Sequence, residues 1–235
     1  MFRVQGSTFK VPSWYIFLSL FLIFLFVFGY LIEDSLAHRK PSQWKVKVEW
    51  VVDGDTFIIQ GHQFVRLKGI DTPEIGHKKG ERSQYFAKQA LKRLIHLIKK
   101  RYVIIKRYGL TKDRYGRYLA YVYLPDGRFV NLLMIKEGYA FYFPHHDLER
   151  KMARQFLNAQ RMAMDQRRGF WARILSMDAA NKRYIGNRKE LRFHTLLCPL
   201  GRKIYLKHRV YFSSLYEAFY KGYAPCRLCT PWPKE

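Results

Sequence analysis

Acidic side chains are scarce in this sequence of 235 residues. Its 18 Asp and Glu stand against 43 Lys and Arg, which leaves a formal net charge of +25 at pH 7. Such an excess argues against an anionic surface and favours partners that are themselves negative, namely nucleic acid or an anionic membrane. A soluble domain with a solvated basic face is the plainer interpretation of the same charge.

Cysteine is also scarce. The chain has three cysteines, and this odd number argues against a disulfide scaffold. The three cysteines lie in the last forty residues, where His194-x₃-Cys198 and Cys226-x₂-Cys229 form two close pairs. This spacing predicts a structural zinc site with four protein ligands. The metal would stabilise a module whose hydrophobic core is too small for it to fold alone. A Cys226–Cys229 disulfide with Cys198 free is the alternative.

Charged side chains are absent from residues 14–32, a run of nineteen residues. As a helix the run would be about 28 Å long, close to the roughly 30 Å of a bilayer's hydrocarbon core. Because it is apolar on all sides, it predicts a single-pass membrane anchor in contact with the lipid bilayer, with the folded part extracytoplasmic. A cleaved signal peptide, which would release a secreted protein, is the alternative.

The remaining chain alternates short strands with helices, which predicts a mainly β fold with α (α+β). Strands are expected at 44–50, 56–60, 63–70, 102–108 and 118–124, and helices at 83–100, 130–137 and 147–168 with Asp147 as N-cap. Five strands with a helix after the third favour a closed five-stranded barrel of the OB type with three helices. The predicted parts are an N-terminal tail (1–13), the anchor (14–32), the barrel domain (38–172), a connector (173–190) and the zinc-binding module (191–235).

Carboxylates cluster where two predicted strands end. Asp55 and Asp71 are hard oxygen donors suited to Ca²⁺ or Mg²⁺, and the backbone carbonyl of Thr72 offers a further oxygen. Glu74 follows across a proline turn and is a candidate general base. Each residue alone is more often an ordinary turn residue, so only their joint spacing favours metal-assisted attack on a phosphodiester.

Two arginines complete this pattern, because a guanidinium binds phosphate oxygens in a forked geometry that lysine lacks. They are Arg66, between the two aspartates, and Arg117, near a Tyr115-Gly116 turn. An arginine on a strand is more often a solvated edge residue. A catalytic role for these two arginines is therefore favoured only by the carboxylates nearby.

Three segments, DGDT at 53–56, RLKGIDTPE at 66–74 and DRYGRYLAYVY at 113–123, resemble the staphylococcal nuclease (thermonuclease) family in that family's order. The resemblance covers roughly residues 44–171. It implies a five-stranded OB barrel with three helices and Ca²⁺-dependent cleavage of DNA and RNA at the 5′ P–O bond, leaving 3′-phosphates.

The resemblance also implies a role for each matching residue. Asp55 and Asp71 match the calcium carboxylates, Thr72 the backbone ligand, Glu74 the general base, Arg66 and Arg117 the catalytic arginines, and Tyr115 an aromatic at the nucleotide pocket. Residues 191–235 resemble the metal-binding module of the Ada DNA-repair protein, with His194 in place of the first of four cysteines.

The resulting hypothesis is a membrane-anchored endonuclease with catalytic Ca²⁺, structural Zn²⁺, DNA or RNA as substrate and no evident protein partner. A non-catalytic OB-fold protein that binds nucleic acid at the cell surface is the alternative. A third interpretation treats the basic charge as a tether to a membrane surface.

Overall fold

The computed structural model describes residues 21, 24–26, 43–76, 78, 80–106, 111–229 and 231–235. The tail 1–13 and most of the predicted anchor 14–32 therefore lie outside the described residues. Among the residues that are described, no helix has the length and apolar character needed to cross a membrane. Residues Gln43–Glu235 form one compact unit, and the following sections concern that unit.

Five strands close into a barrel, as the sequence predicted. The first six strands of the unit are β1 (Gln43–Val51), β2 (Thr56–Ile59), β3 (Gln63–Leu67), β4 (Ile70–Asp71), β5 (Tyr102–Lys106) and β6 (Tyr118–Tyr123). The barrel order is β1-β2-β3-β6-β5, antiparallel except for the parallel pair of β3 and β6. Apolar side chains that alternate along these strands, such as Phe57, Val65 and Ile105, are fully buried and fill the barrel.

Three helices accompany the barrel: α1 (Ala87–Ile98), α2 (Val130–Lys136) and α3 (Arg150–Asp165). The first begins four residues later than predicted, because Phe86 adopts a left-handed conformation with φ 72°. The prediction of Asp147 as the N-cap of the third was wrong. Its carboxylate instead accepts a hydrogen bond of 2.9 Å from Nζ of Lys68, a buried cation that requires a counter-charge.

The predicted third strand, 63–70, is in fact two strands separated by a turn. Gly69 makes the turn with φ +79°, and a Cβ there would lie 2.7 Å from the ring of Phe156. Beyond it, β4 leaves the barrel and pairs with β7 (Phe141–Tyr142), with Asp71 opposite Phe141. The break therefore places Asp71 on a separate short ladder beside the barrel.

The C-terminal part forms its own four-stranded sheet. Its elements are α4 (Trp171–Ile174), β8 (Tyr184–Asn187), β9 (Arg192–Thr195), α5 (Pro199–Arg202), β10 (Arg209–Phe212), α6 (Leu215–Tyr220) and β11 (Ala224–Pro225), in the sheet order β10-β8-β9-β11. Residues 184–187 belong to this sheet although the sequence suggested a connector at 173–190. The strand is only four residues long and contains Gly186, whose Cβ would lie 2.6 Å from Phe212, so it lacks the usual alternating pattern.

The C-terminal part packs directly on the barrel domain. Aromatic rings form most of the contact, with Phe141 5.7 Å from Phe219 and Phe170 4.7 Å from Trp232 between ring centroids. Gln160 of α3 is fully buried there; its side chain accepts the Tyr142 N–H and donates to the Phe219 carbonyl, both at 2.7 Å. One amide thus satisfies backbone groups on both sides of the contact.

We expect Gln160→Met to lower the free energy of unfolding by roughly 2–4 kcal/mol, because two buried backbone groups would lose their partners. Denaturant unfolding measures this change. Gln89→Met, on an exposed face of α1, is the matched control and should stay within about 0.5 kcal/mol of the parent. Equal effects of the two substitutions would contradict a bridging role for Gln160.

Candidate active site

The turn between β1 and β2 is pressed against Thr72. A Cβ on Gly54 would come within 2.7 Å of the Thr72 hydroxyl oxygen and 2.8 Å of Cβ of Ala90, so the turn requires glycine at this position. The carboxylate of Asp53 shapes the turn by accepting the Asp55 N–H at 2.9 Å. This close approach brings Asp55 beside the segment that carries Asp71.

Arg66 joins the two aspartates. It lies on β3, and its Nη1 and Nη2 atoms pair with the carboxylates of Asp55 and Asp71 respectively. The three side chains are 8%, 3% and 7% exposed, so the cluster is almost closed to solvent. One carboxylate from the turn before β2 and one from β4 therefore share one guanidinium.

Burial governs the electrostatics of this cluster. It raises the pKa of Asp55 well above its usual range, an effect that Arg66 only partly opposes. Burial alone would lower the pKa of Arg66, but the charges of Asp55 and Asp71 outweigh it, and the net pKa is raised. A buried carboxylate pair of this kind is stable only beside positive charge.

These donors fit a hard divalent cation. Asp55 and Asp71 carry carboxylate oxygens of the kind that Ca²⁺ prefers, and Thr72, which follows Asp71 in the chain, is buried as they are.

Arg117 reaches the same cluster through Thr56. Its Nη1 donates to the Thr56 hydroxyl at 3.4 Å, and that hydroxyl donates to Asp55 at 2.9 Å. Its Nε donates to Asp113 at 2.8 Å. Burial would raise the pKa of the Asp113 carboxyl, but its hydrogen bonds with Arg117 lower it. Asp113 therefore orients Arg117 toward the aspartates.

Tyr115 lies at the rim. Its ring is 63% exposed, and the guanidinium carbons of Arg114 and Arg117 lie 4.8 and 5.3 Å from the ring centre. This exposed residue therefore places an aromatic ring next to the cluster.

Glu74 lies on the loop after β4, with its side chain 46% exposed. Its N–H donates to the side-chain oxygen of Gln84, and the Gln84 N–H donates to its carbonyl, both at 2.9 Å. Partial burial and the charge of Asp71 raise the pKa of Glu74, and Arg227 opposes this shift. The backbone of Glu74 is thus fixed while its carboxylate remains accessible.

A groove of about 340 Å³ lies at this group of residues. Its lining includes Thr56, Arg66, Glu74, Tyr115, Arg117 and Arg227. Asp55, Asp71 and Thr72 lie buried against Arg66 and Gly54, so the structure brings together the seven residues that the sequence selected for calcium binding, catalysis and the nucleotide pocket.

Arg227 is a groove residue that the sequence reasoning missed. It comes from the C-terminal part, yet its Nη2 lies 3.4 Å from a carboxylate oxygen of Asp71 and 3.2 Å from one of Glu74. The charge of Asp71 raises the pKa of Arg227. The one available signal was its position between Cys226 and Cys229, and no spacing rule links that position to Glu74.

The end of the chain also supports the Glu74 loop. Three hydrogen bonds of 2.7–2.9 Å join it to residues 83–85: Tyr85 N–H to the Pro233 carbonyl, Glu235 N–H to the Ser83 carbonyl, and the Trp232 ring N–H to the Tyr85 carbonyl. Gln84, inside this segment, holds the Glu74 backbone. The C-terminal part therefore reaches Glu74 by two routes.

The four predicted zinc ligands also come together. The ligand atoms of His194, Cys198, Cys226 and Cys229 all lie within 4.8 Å of one another. The three cysteines are free thiols, and burial raises the pKa of the Cys229 thiol to about 12. One imidazole and three sulfurs at this separation are a donor set that suits a tetrahedral metal ion.

Comparison with known proteins gives consistent matches. The family model described as "Staphylococcal nuclease homologue" matches residues 64–173. Thermonuclease from Staphylococcus intermedius is 31% identical over 178 residues, 70% of this chain and 99% of that protein. Thermonuclease from Staphylococcus hyicus is 33% identical over 144 residues, 59% and 82% of the two chains. Endonuclease YhcR from Bacillus subtilis is 29% identical over 218 residues, 82% of this chain and 18% of that protein.

Proposed function

Because the chain belongs to the staphylococcal nuclease family, we propose that it is a Ca²⁺-dependent endonuclease acting on DNA or RNA. The observation that carries the proposal is the buried pairing of Asp55 and Asp71 with Arg66 beside a groove that exposes Glu74 and Arg117. The net charge of +25 supports a polyanionic substrate.

Asp55, Asp71 and the Thr72 carbonyl would hold the calcium ion, which when bound would offset charge on the non-bridging phosphate oxygens. Their hard oxygen donors and their burial support this assignment.

Glu74 would accept a proton from the attacking water, since its carboxylate faces the groove. The water oxygen forms a new bond to phosphorus while the 5′ P–O bond breaks, and the departing 5′ oxygen takes a proton from solvent, which leaves a 3′-phosphate and a 5′-hydroxyl. Arg117 and Arg66 would donate to the phosphate oxygens through their guanidinium N–H groups. The exposed ring of Tyr115 would stack on a base, a contact that contributes about 1–3 kcal/mol.

We expect Glu74→Gln to reduce cleavage of DNA in saturating Ca²⁺ by roughly 10²–10⁴-fold, because the amide cannot accept the proton. Steady-state cleavage assays measure the loss. Glu149→Gln, on an exposed position before α3, is the control and should cleave like the parent. Parent-level cleavage by Glu74→Gln would overturn the assignment. Binding of DNA by the parent without cleavage at any Ca²⁺ concentration would instead favour the non-catalytic alternative.

We also propose that His194, Cys198, Cys226 and Cys229 bind a structural zinc ion. The convergence of their four ligand atoms supports this, and four protein ligands leave no open position for chemistry. The family model ends at residue 173, so the likeness of residues 191–235 to the Ada module remains a prediction from sequence.

We expect the purified protein to contain one equivalent of zinc, and His194→Ala to lose it together with thermal stability, because one of four ligands is removed. Metal analysis and thermal unfolding measure both effects. His208→Ala, in the same part of the chain but outside the cluster, should change neither. Less than half an equivalent of zinc in the parent, with Cys226 and Cys229 oxidised, would contradict the proposal.

The membrane anchor at 14–32 is a further proposal, supported by the nineteen uncharged residues of the run. We expect the full chain to sediment with membranes after alkaline carbonate, and the double substitution Leu22→Arg, Phe26→Arg to release it, because central arginines oppose insertion. Leu22→Ile, Phe26→Leu is the control. A parent chain found in the soluble fraction, with its N-terminus after residue 37, would favour the signal peptide.

A further inference from the structure

The C-terminal part brings an arginine into the groove of the barrel domain. From its position we propose that Arg227 is a third phosphate-binding arginine of the nuclease site, and that metal bound by the neighbouring Cys–His cluster holds it there. This inference rests on the proposed nuclease function.

The contacts of Arg227 leave it available to a ligand. Both of its ion-pair contacts use Nη2, at 3.2 Å to Glu74 and 3.4 Å to Asp71. These distances exceed the 2.7–2.9 Å that is usual for tight charge-assisted bonds. Within the described part of the chain, Nε and Nη1 of Arg227 form no ion pair. A phosphate entering the groove would therefore meet several uncommitted donors.

Comparison of the three groove arginines supports this role. The side chain of Arg66 is 8% exposed and has both terminal nitrogens on carboxylates. Arg117 is 22% exposed and is held by Asp113, whereas Arg227 is 57% exposed. Arg227 is therefore the most accessible of the three to a bound strand.

The negative charge of the groove also favours a further cation at the site. Asp55 and Asp71 lie beneath it and Asp53 and Glu74 line it, and all four would repel a phosphodiester. Among the residues that the structure describes, Arg227 is the one cation in ion-pair contact with Glu74, so it offsets this repulsion next to the proposed base.

The backbone around Arg227 is tied to the cluster. Arg227 lies between two predicted ligands, Cys226 and Cys229. The Cys226 N–H donates to the Phe193 carbonyl at 2.9 Å, and Phe193 directly precedes His194 on β9. A metal ion shared by these ligands would fix the loop on both sides of residue 227. Loss of the metal would therefore release the guanidinium from the groove.

The first test compares Arg227→Gln with Arg202→Gln, which removes the same charge from an exposed position in α5 of the same part. Binding of a fluorescent single-stranded oligonucleotide is measured by anisotropy without added calcium, and KM and kcat are measured with calcium. Arg227→Gln should weaken binding and raise KM by roughly 10- to 100-fold, as expected for a lost charge-assisted contact. Arg202→Gln should stay within about twofold of the parent, and Arg227→Lys should recover part of the loss.

Two results would overturn the proposal. One is an Arg227→Gln variant whose oligonucleotide affinity and KM match those of the parent. The other is unchanged affinity with a lower calcium requirement, which would make Arg227 a counter-ion that competes with calcium. If the parent itself does not cleave nucleic acid, the proposed function fails instead. Thermal unfolding of each variant separates these results from misfolding.

The second test addresses the metal. The cluster is stripped with a zinc-selective chelator, and oligonucleotide binding is measured in the parent and in Arg227→Gln. The parent should fall to the affinity of the variant, and the variant should lose little more, because both changes remove the same contact. Equal losses in both proteins would show that the metal acts on binding by another route, and would overturn the coupling.

Discussion

The ion pairing of Arg66 with Asp55 and Asp71 is the interaction on which the rest of the site depends. Two carboxylates in a nearly closed environment repel each other and lose hydration, and removal of the guanidinium would leave uncompensated buried charge at a cost of about 3–5 kcal/mol. Two glycines make the arrangement possible. Gly69 turns the chain so that Asp71 leaves the barrel ladder, and Gly54 lets the Asp55 turn approach Thr72.

The second constraint is the contact between the barrel and the C-terminal sheet. Gln160 and a set of packed aromatic rings join the two into one compact unit, and the end of the chain holds the segment that positions Glu74. The groove consequently draws on residues outside the 64–173 match to the family: Asp53 and Thr56 before it and Arg227 after it. The cluster of His194, Cys198, Cys226 and Cys229 lies within this same unit.

Much of the barrel was predictable because each signal was local. Alternating side chains located the strands and a 3.6-residue stripe located α1, since both patterns reflect burial on one face of a single element. Predictions failed where a contact with a residue far away in the sequence determined the local structure. Asp147 pairs with Lys68 instead of capping its helix, and residues 184–187 join a sheet whose other strands come later in the chain.

The sequence by itself determined the donor types. It supplied two aspartates and a glutamate near two arginines, and a histidine with three cysteines at metal-ligand spacing. Only the tertiary structure decided that Arg66 lies between the two aspartates and that Arg227 reaches Glu74 across 153 positions of sequence. The physical reason is that short-range spacing governs neighbours on one strand or turn. Contacts between parts far apart in sequence depend on how whole surfaces pack, which no local pattern encodes.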